Sequence, residues 1–258
     1  MNDEVKAGDG PTVTGDRESR PYPPPVTVDP SQPSVHRSSF CVHRSLCPVA
    51  AVVLAAGQSR RMGAFKPLLP FGTESVVGSC VGNLLRAGVS EVVVVVGHRA
   101  DEVRQALSHL NVRFALNEEA GSAMGASVAR GVAALSDGAR AVLVMPADHP
   151  AVAPAVVETL IETREREGAR IVVPVWGGRG GHPALVSLEF RAELLSLDAR
   201  GGLRGFFAGR AGQVRRVRVE CPFVARDVDT WDDYAALHEE VFGSPPPMQR
   251  PNTGRSSL

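Results

Sequence analysis

Apolar runs and amphipathic segments alternate along the middle of this chain of 258 residues. Segments dominated by β-branched and other apolar residues, typical of buried strands, occupy residues 50–55, 91–96, 112–116, 141–145 and 171–175, and the first of them is continuously apolar. Between them, apolar residues recur at helical spacing over residues 74–87, 101–110, 125–135 and 154–167. Beyond residue 177 the less regular pattern predicts strands at 184–187 and 214–219, and helices at 189–197, 203–208 and 231–240. We therefore predict an α/β fold with three layers and a Rossmann-like, mainly parallel sheet.

Both ends of the chain lack this periodicity. Residues 1–48 contain eight of the 20 prolines, and residues 243–258 contain three consecutive prolines near their start. Because such segments bury no apolar face, we predict disordered, proline-rich tails at 1–48 and 243–258 around one domain at 49–242. A proline motif that docks a partner is the alternative for the first tail.

Charge and composition narrow the function classes. The chain has 28 basic and 28 acidic residues, and this balance disfavours a protein that coats nucleic acid or an anionic membrane. Its longest apolar run, residues 49–56, is far shorter than the roughly 20 residues that span a bilayer. The four cysteines lack the paired short spacing of zinc sites and disulfide frameworks. These features predict a cytoplasmic protein with no nucleic-acid or membrane partner.

Lysine is nearly absent, because 26 of the 28 basic residues are arginine. Lys66 is the only lysine outside the predicted N-terminal tail. An ammonium group is a compact point charge, whereas a guanidinium group is a wide planar fork. The single lysine therefore indicates a position that needs the smaller cation.

The loop after the first predicted strand has the properties of a phosphate site. Small residues at positions 55–57 allow a ligand to approach the backbone, and Arg60, Arg61 and Lys66 bring positive charge. In an open α/β sheet, ligands bind beyond the carboxyl ends of the strands, which is where this loop lies. Its glycine spacing matches neither the dinucleotide-binding motif nor the P-loop motif. A flexible surface loop with solvated arginines is the alternative.

Acidic residues occur at two further positions on the predicted ligand side of the sheet. Asp148 follows the strand at 141–145, and Asp227 and Asp229 precede the last helix. Mg²⁺ binds few protein carboxylates and shares its other positions with phosphate and water, so Asp148 and Asp229 together with a triphosphate suit it. Asp229 is also placed to cap the last helix, and the sequence leaves both interpretations open.

Three segments that contain glycine are candidates for substrate contacts. Asn117, Gly125 and Ser127 lie between a strand and a helix start, which suits recognition of a base and a ribose, although an Asx-turn explains the same residues. The segment 177–183 is rich in glycine, which a simple hairpin explains, and it ends in a His-Pro pair, which a hairpin does not explain. The glycine–arginine loop at 200–204 suits an acceptor phosphate, and a solvated helix start explains it equally well.

The segment 54–72, LAAGQSRRMGAFKPLLPFG, resembles the signature of the nucleotidyltransferases related to molybdenum cofactor guanylyl- and cytidylyltransferases, the MobA-like NTP transferase family. The resemblance extends over roughly residues 49–242 and implies the fold of the nucleotide-diphospho-sugar transferases. Relatives that read Leu-Ala-Ala-Gly in this loop, as residues 54–57 do, are similar to cytidylyltransferases, whereas Leu-Ala-Gly-Gly is the guanylyl form. His149 stands where many relatives have glutamine.

The resemblance also implies roles for individual residues. Catalysis is implied for Lys66, Arg61 and Asp148, with Mg²⁺ as the cofactor held by Asp148 and Asp229. The nucleotide-binding positions that it implies are Leu54, Ala55, Ala56, Gly57, Ser59, Arg60, Gly63, Asn117, Gly125 and Ser127. The acceptor-binding positions that it implies are Gly181, His182 and Pro183.

The function implied by the resemblance is transfer of CMP from CTP to a phosphate-bearing acceptor, molybdenum-bearing molybdopterin, with release of pyrophosphate. The implied partners are the nucleoside triphosphate, the small-molecule acceptor, and a molybdoenzyme or its chaperone. Three alternatives stay open. They are the same fold acting on a sugar or alditol phosphate, an oxidoreductase that uses a dinucleotide, and a non-catalytic carrier of molybdopterin.

Overall fold

The computed structural model describes residues 48–59, 61–119, 123–197 and 201–250. Of the tails predicted at 1–48 and 243–258, residues 1–47 and 251–258 lie outside these ranges, as does Arg60. The strands and helices run from Val49 to Phe242. Among the described residues, no helix is both long and apolar enough to cross a membrane.

In the part of the chain that the structure describes, ten strands and seven α-helices form the fold. The strands, in chain order, are β1 Val49–Leu54, β2 Pro70–Phe71, β3 Glu74–Ser75, β4 Glu91–Val96, β5 Arg113–Leu116, β6 Ala141–Pro146, β7 Ile171–Trp176, β8 Arg179–Gly180, β9 Ala184–Ser187 and β10 Val214–Arg218. The helices are α1 Val76–Arg86, α2 Ala100–Ala106, α3 Met124–Ala133, α4 Pro154–Glu167, α5 Arg191–Leu195, α6 Gly202–Ala208 and α7 Trp231–Phe242.

The central sheet has eight strands in the order β10-β7-β9-β6-β1-β4-β5, with β8 paired to β7. β1 pairs in parallel with β4 and β6, and β5 and β10 add parallel strands at the two edges. Of the seven strands in this order, only β9 runs antiparallel to both of its neighbours, β6 and β7. The predicted mainly parallel, Rossmann-like sheet is therefore confirmed, with one antiparallel strand in its middle.

Helices cover both faces of this sheet because its central strands are apolar on both sides. Ala51 and Val53 of β1 belong to a core with α1, α4 and α7, whereas Ala50 and Val52 belong to a second core with α3, α5 and α6. All four side chains are fully buried. Two cores separated by one sheet are the predicted three layers.

Gly131 allows α3 to lie close to the sheet. A Cβ atom at this position would stand 2.3 Å from Cγ1 of Val52 and 2.9 Å from Cγ2 of Val95. Only a residue without a side chain fits between the helix and the two central strands. This close approach brings the start of α3 to the same edge of the sheet as the loop that follows β1.

The first predicted helix and the glycine-rich turn at 177–178 have local explanations. The helix predicted at 74–87 begins at Val76, because residues 74–75 pair with Pro70–Phe71 as a small hairpin. The Ser75 side chain then accepts a hydrogen bond from Gly78 N at 3.1 Å and caps the helix. The glycines at 177 and 178 both have positive φ and turn β7 into β8, so the hairpin alternative explains these two residues.

Candidate active site

The loop after β1 folds back on itself beyond the carboxyl end of the sheet. Ala55 N still donates to Val95 O at 2.9 Å, and the chain leaves the sheet after it. Ser59 then turns with a positive φ of 52°, and its Oγ accepts a hydrogen bond from Lys66 N at 3.0 Å. Lys66 opens a short 3-10 helix, Lys66–Leu68. Ser59 therefore fixes the place from which the Lys66 side chain extends.

Three carboxylates converge opposite this loop. Asp148 follows β6, and Asp227 and Asp229 precede α7; one oxygen from each lies within 4.8 Å of the others. Val228 N donates to Asp148 O at 3.1 Å, and this backbone contact joins the two segments. The sequence predicts Asp148 and Asp229 as metal ligands, and the structure places Asp227 beside them.

Thr230, and not Asp229, caps the last helix. The Thr230 side chain accepts from Asp233 N at 3.2 Å, and the Asp233 carboxylate accepts from Thr230 N at 2.7 Å and from Asp229 N at 3.3 Å. This capping box leaves the Asp229 carboxylate free of a capping role and directs it towards Asp148. The two interpretations that the sequence left open for Asp229 are thereby separated.

Lys66 lies between the two carboxylates. Its Nζ is 3.2 Å from Oδ2 of Asp148 and 3.1 Å from Oδ1 of Asp229, and its side chain is only 12% exposed. Arg61 makes a further ion pair with Oδ2 of Asp229 at 2.9 Å, from a side chain that is 75% exposed. In this arrangement both predicted phosphate-binding cations neutralise the acidic cluster.

Asp148 is held in its charged form. Burial would raise the pKa of its carboxyl, but the hydrogen bond and charge of His149, together with the charge of Lys66, lower it to about 2. His149 is buried, and its Nδ1 lies 2.9 Å from Oδ1 of Asp148. Since an ionised carboxylate only accepts hydrogen bonds, Nδ1 carries the proton. A permanently charged carboxylate is suited to bind a cation.

A cavity of about 460 Å³ opens between the loop and these carboxylates. The predicted nucleotide-binding and catalytic residues that line it are Leu54, Ala55, Ala56, Gly57, Ser59, Arg61, Lys66, Ser127, Asp148 and Asp229. Gly63 and Asn117 are not among its lining residues. Asn117 is buried behind the wall, where it donates to Ser127 Oγ at 2.9 Å and accepts from Glu119 N at 3.3 Å. That second contact is the Asx-turn that the sequence offered as an alternative.

A second cavity, of about 670 Å³, adjoins the first, and the exposed side chain of Met124 lines both. Gly125, predicted to contact the nucleotide, lines this second cavity, as do the predicted acceptor residues Gly181 and His182. Pro183 is buried and lies outside its lining. Cationic side chains reach it from Arg204 and Arg216.

Gly181 also has a packing role. A Cβ atom at this position would stand 2.1 Å from the carbonyl oxygen of Val224. The neighbouring His182 N donates to that same carbonyl at 2.7 Å. The glycine is therefore required by the approach of two chain segments, whatever ligand the cavity receives.

His182 is neutral at physiological pH. Burial, followed by the nearby charge of His149, lowers the pKa of its imidazole to about 4. Its Nδ1 atom is buried without a hydrogen-bond partner, and its ring packs edge-on against that of His149, with the centroids 5.1 Å apart. His182 therefore contributes a neutral ring to the cavity that it lines.

Several residues that line the two cavities are not predicted from the sequence. Glu119 and Pro146 line the first cavity, and Phe207 and Arg216 line the second. Arg216 lies on the edge strand β10, where residues two apart point to the same face. This alternation places Arg216 on the same face as Val214, which also lines the cavity. The alternation is the one signal in the sequence that points to Arg216.

The model of the MobA-like NTP transferase domain matches residues 51–217 of the chain. The chain belongs to this family. The match includes the loop after β1 and Asp148, and it ends within β10, which contributes residues to the second cavity. It confirms the family that the loop sequence resembles. The matched region is therefore an NTP transferase domain.

Similar proteins agree with this placement. A nucleotidyl transferase from Methanothermobacter thermautotroptrophicus is 28% identical with a TM-score of 0.68, over 76% of this chain and 98% of its own. Rv0371c from Mycobacterium tuberculosis, solved in complex with manganese, is 31% identical with a TM-score of 0.63, over 75% of this chain and 98% of its own. The bifunctional protein GlmU of Symbiobacterium thermophilum is 35% identical over 116 residues, which are 44% of this chain. The matched region spans only about a quarter (24%) of GlmU.

Proposed function

We propose that this protein transfers CMP from CTP to a phosphate-bearing acceptor, molybdenum-bearing molybdopterin, and releases pyrophosphate. The observation that carries the proposal is the position of Lys66, whose ammonium lies 3.2 Å and 3.1 Å from two carboxylates at the rim of a cavity lined by the β1 loop. A cation, a carboxylate cluster and an accessible backbone segment lie together at the carboxyl ends of the parallel strands. This combination suits the binding of a triphosphate with a divalent ion.

The first cavity is the proposed nucleotide site. Residues 55–57 offer small side chains that let the ligand approach the backbone, while Lys66 and Arg61 supply positive charge. A triphosphate gives these cations a second set of anionic partners besides the carboxylates. The Leu-Ala-Ala-Gly sequence of this loop supports CTP as the nucleotide, through the resemblance to cytidylyltransferases.

The carboxylate cluster fits a hard divalent cation such as Mg²⁺. Its donors are all oxygens, they lie within 4.8 Å of one another, and Asp148 is ionised. Asp148 and Asp229 would hold the ion, which supplies charge neutralisation at the phosphates. That the related Rv0371c was solved in complex with manganese supports a divalent ion as the cofactor.

The reaction forms one bond and breaks one. An oxygen of the acceptor phosphate bonds to the α-phosphorus of the nucleotide, and the bond from that phosphorus to the bridging oxygen breaks, which releases pyrophosphate with its electron pair. Because the attacking oxygen is already anionic, no strong general base is required. The chain's contribution is to position the two phosphates and to stabilise the charge that develops on pyrophosphate, through Lys66 and Arg61.

The second cavity is the proposed acceptor site. Arg204 and Arg216 contribute positive charge, and the described residues that line it include no carboxylate. An anionic acceptor is therefore favoured. Gly181 and His182 present a neutral wall to the body of the acceptor, and Met124 separates this cavity from the nucleotide site.

Thermal stabilisation by nucleotides tests the proposal. A ligand at a hundred times its Kd stabilises the folded state by about 2.7 kcal/mol. For a domain of this size that is an increase in Tm of roughly 5–11 °C. CTP with Mg²⁺ is expected to give this increase, and Asp148→Asn is expected to reduce it. Stabilisation by NADPH with no response to any nucleoside triphosphate would instead support the dinucleotide-using oxidoreductase.

Transfer to acceptors is then measured with labelled CTP. Molybdenum-bearing molybdopterin is expected to become labelled, while sugar phosphates and alditol phosphates are not. Labelling of a sugar phosphate alone would retain the nucleotidyl transfer and replace the acceptor. CTP binding without transfer to any acceptor would support a non-catalytic carrier.

A further inference from the structure

His149 is a buried histidine next to the proposed metal-binding aspartate. It is 5% exposed and lies in the turn that follows β6. Its Nδ1 donates to Oδ1 of Asp148 at 2.9 Å, and its ring packs against His182 in the wall of the second cavity. The nucleotide and acceptor roles proposed above use Asp148 and His182 but leave His149 without one.

The two oxygens of Asp148 have different partners. Oδ1 accepts the hydrogen bond from His149, and Oδ2 faces Nζ of Lys66 at 3.2 Å. A hydrogen bond to one oxygen restricts rotation of the carboxylate about its Cβ–Cγ bond, so the bond from His149 fixes the plane of the group and the direction of its other oxygen. Oδ2 is therefore the oxygen that stays directed towards Asp229 and the cation site.

We infer that His149 is a positioning residue, which holds Oδ1 of Asp148 through its Nδ1–H so that Oδ2 faces the divalent ion, and which is itself braced by the ring of His182. The inference rests on the proposed role of Asp148 as a metal ligand. Ligating carboxylates in proteins are commonly held by such hydrogen bonds, and loss of one typically costs ten- to a hundredfold in metal affinity.

Two substitutions separate the hydrogen bond from the packing. His149→Phe keeps an aromatic ring against His182 and removes the donor. His149→Gln removes the ring and keeps an N–H donor that reaches the Asp148 carboxylate. If the hydrogen bond is what matters, glutamine restores function and phenylalanine does not; if packing alone matters, the order is reversed.

The measurement is Mn²⁺ affinity of the full chain without nucleotide, followed by the EPR signal of the free ion. His149→Phe is expected to weaken Mn²⁺ binding at least tenfold, and His149→Gln to stay within about threefold of the wild type. Equal affinities for wild type and His149→Phe would overturn the inference, as would an equal loss in both variants.

A measurement on the unsubstituted protein covers the case in which His149→Phe does not fold. The ¹⁵N spectrum of the histidine side chains is expected to show a proton on Nδ1 of His149, and an unprotonated Nδ1 would contradict the proposed bond. Asp148→Asn distinguishes this inference from the proposed function. If Asp148→Asn abolishes Mn²⁺ binding while His149→Phe does not alter it, only the role of His149 fails; if Asp148→Asn has no effect, the metal site itself fails.

Discussion

Lys66 carries the only ammonium group among the residues that the structure describes, and it lies in a narrow place. Its Nζ contacts oxygens of Asp148 and Asp229, and 12% of its side chain is exposed. Lys66→Arg keeps the charge but replaces a point donor by a planar fork. We expect kcat to fall on the order of a hundredfold, about 2.7 kcal/mol, which is comparable to loss of one preorganised electrostatic contact.

The comparison for this variant is Asp148→Asn, measured by kcat and kcat/KM for CTP at saturating Mg²⁺. Asp148→Asn is expected to lose at least as much activity and to depend less on the metal concentration. Melting temperatures check that both variants fold. Near-normal turnover of Lys66→Arg would mean that the positive charge in the loop comes from the arginines.

Ala56 lines the first cavity at the position where cytidylyl and guanylyl relatives differ. Ala56→Gly removes one methyl group from the surface that the base is proposed to approach. A difference of this size is worth about 1–3 kcal/mol in specificity, so the ratio of kcat/KM for CTP over GTP should fall by roughly 10- to 200-fold. An unchanged ratio would place base selection elsewhere in the cavity.

His182 makes stability depend on pH in a defined direction. Burial lowers the pKa of its imidazole from 6.5 to about 4, so between these values the unfolded chain binds a proton that the folded chain does not. Acidification therefore destabilises the fold. From pH 7 to pH 5 this group should contribute a loss of about 2 kcal/mol.

Denaturant unfolding of wild type and His182→Asn at the two pH values tests this expectation. The variant should lose less stability than the wild type over the same interval. Parallel pH dependence in the two proteins would show that folding does not lower the pKa of His182.

At the scale of elements, the contact of α3 with the sheet depends on one glycine. Gly131→Ala places a Cβ atom 2.3 Å from Val52, so the helix or the strand must shift. Overpacking of this kind destabilises by roughly 1–3 kcal/mol. The expected decrease in Tm is about 2–4 °C per kcal/mol for a domain of this size.

Gly205 in α6 provides the matched control. It is also a helical glycine, but a Cβ atom there has no neighbour within 4 Å. Gly205→Ala should therefore stabilise the protein by up to about 1 kcal/mol, because alanine has the higher helix propensity. Stabilisation by both substitutions would contradict the close approach of α3 to β1.

Element types were predictable where the signal is local. β4 and α4 have the predicted boundaries, since a buried β-branched run defines the first, and Pro154 at the start and Gly168 after the end define the second. The position of β9 was not predictable, because pairing between β6 and β7 depends on segments far apart in the chain. The pattern over residues 184–187 gives a strand but neither its neighbours nor its direction.

The sequence predicts which segments meet at the candidate site, but it does not predict the contacts between their side chains. Loops that follow parallel strands meet at one edge, and this rule brings the β1 loop and Asp148 together. The ion pairs of Lys66 join positions 82 and 163 residues apart, and no spacing in the sequence reveals them. The sequence predicts that Lys66 binds the triphosphate. The ion pairs of Lys66 with Asp148 and Asp229 follow only from the fold.

For the whole molecule, the described strands and helices begin at Val49, and the proline-rich residues precede them. Deletion of residues 1–46 should therefore leave kcat and KM for the nucleotide nearly unchanged, because every residue of both cavities lies beyond the cut. Tm reports whether the truncated protein folds. A large loss of activity in a folded truncation would assign the N-terminal segment to the site.

The placement of β9 has a consequence for the order in which the chain matures on the ribosome. β5, β4, β1 and β6 are complete by residue 146, whereas β7 and β10 join them only through the four residues of β9. Until that strand has emerged, β6 and β7 each present an open edge to other nascent chains. The segment that bears His182 directly precedes β9, so the second cavity can form only after β9 has paired with β6 and β7.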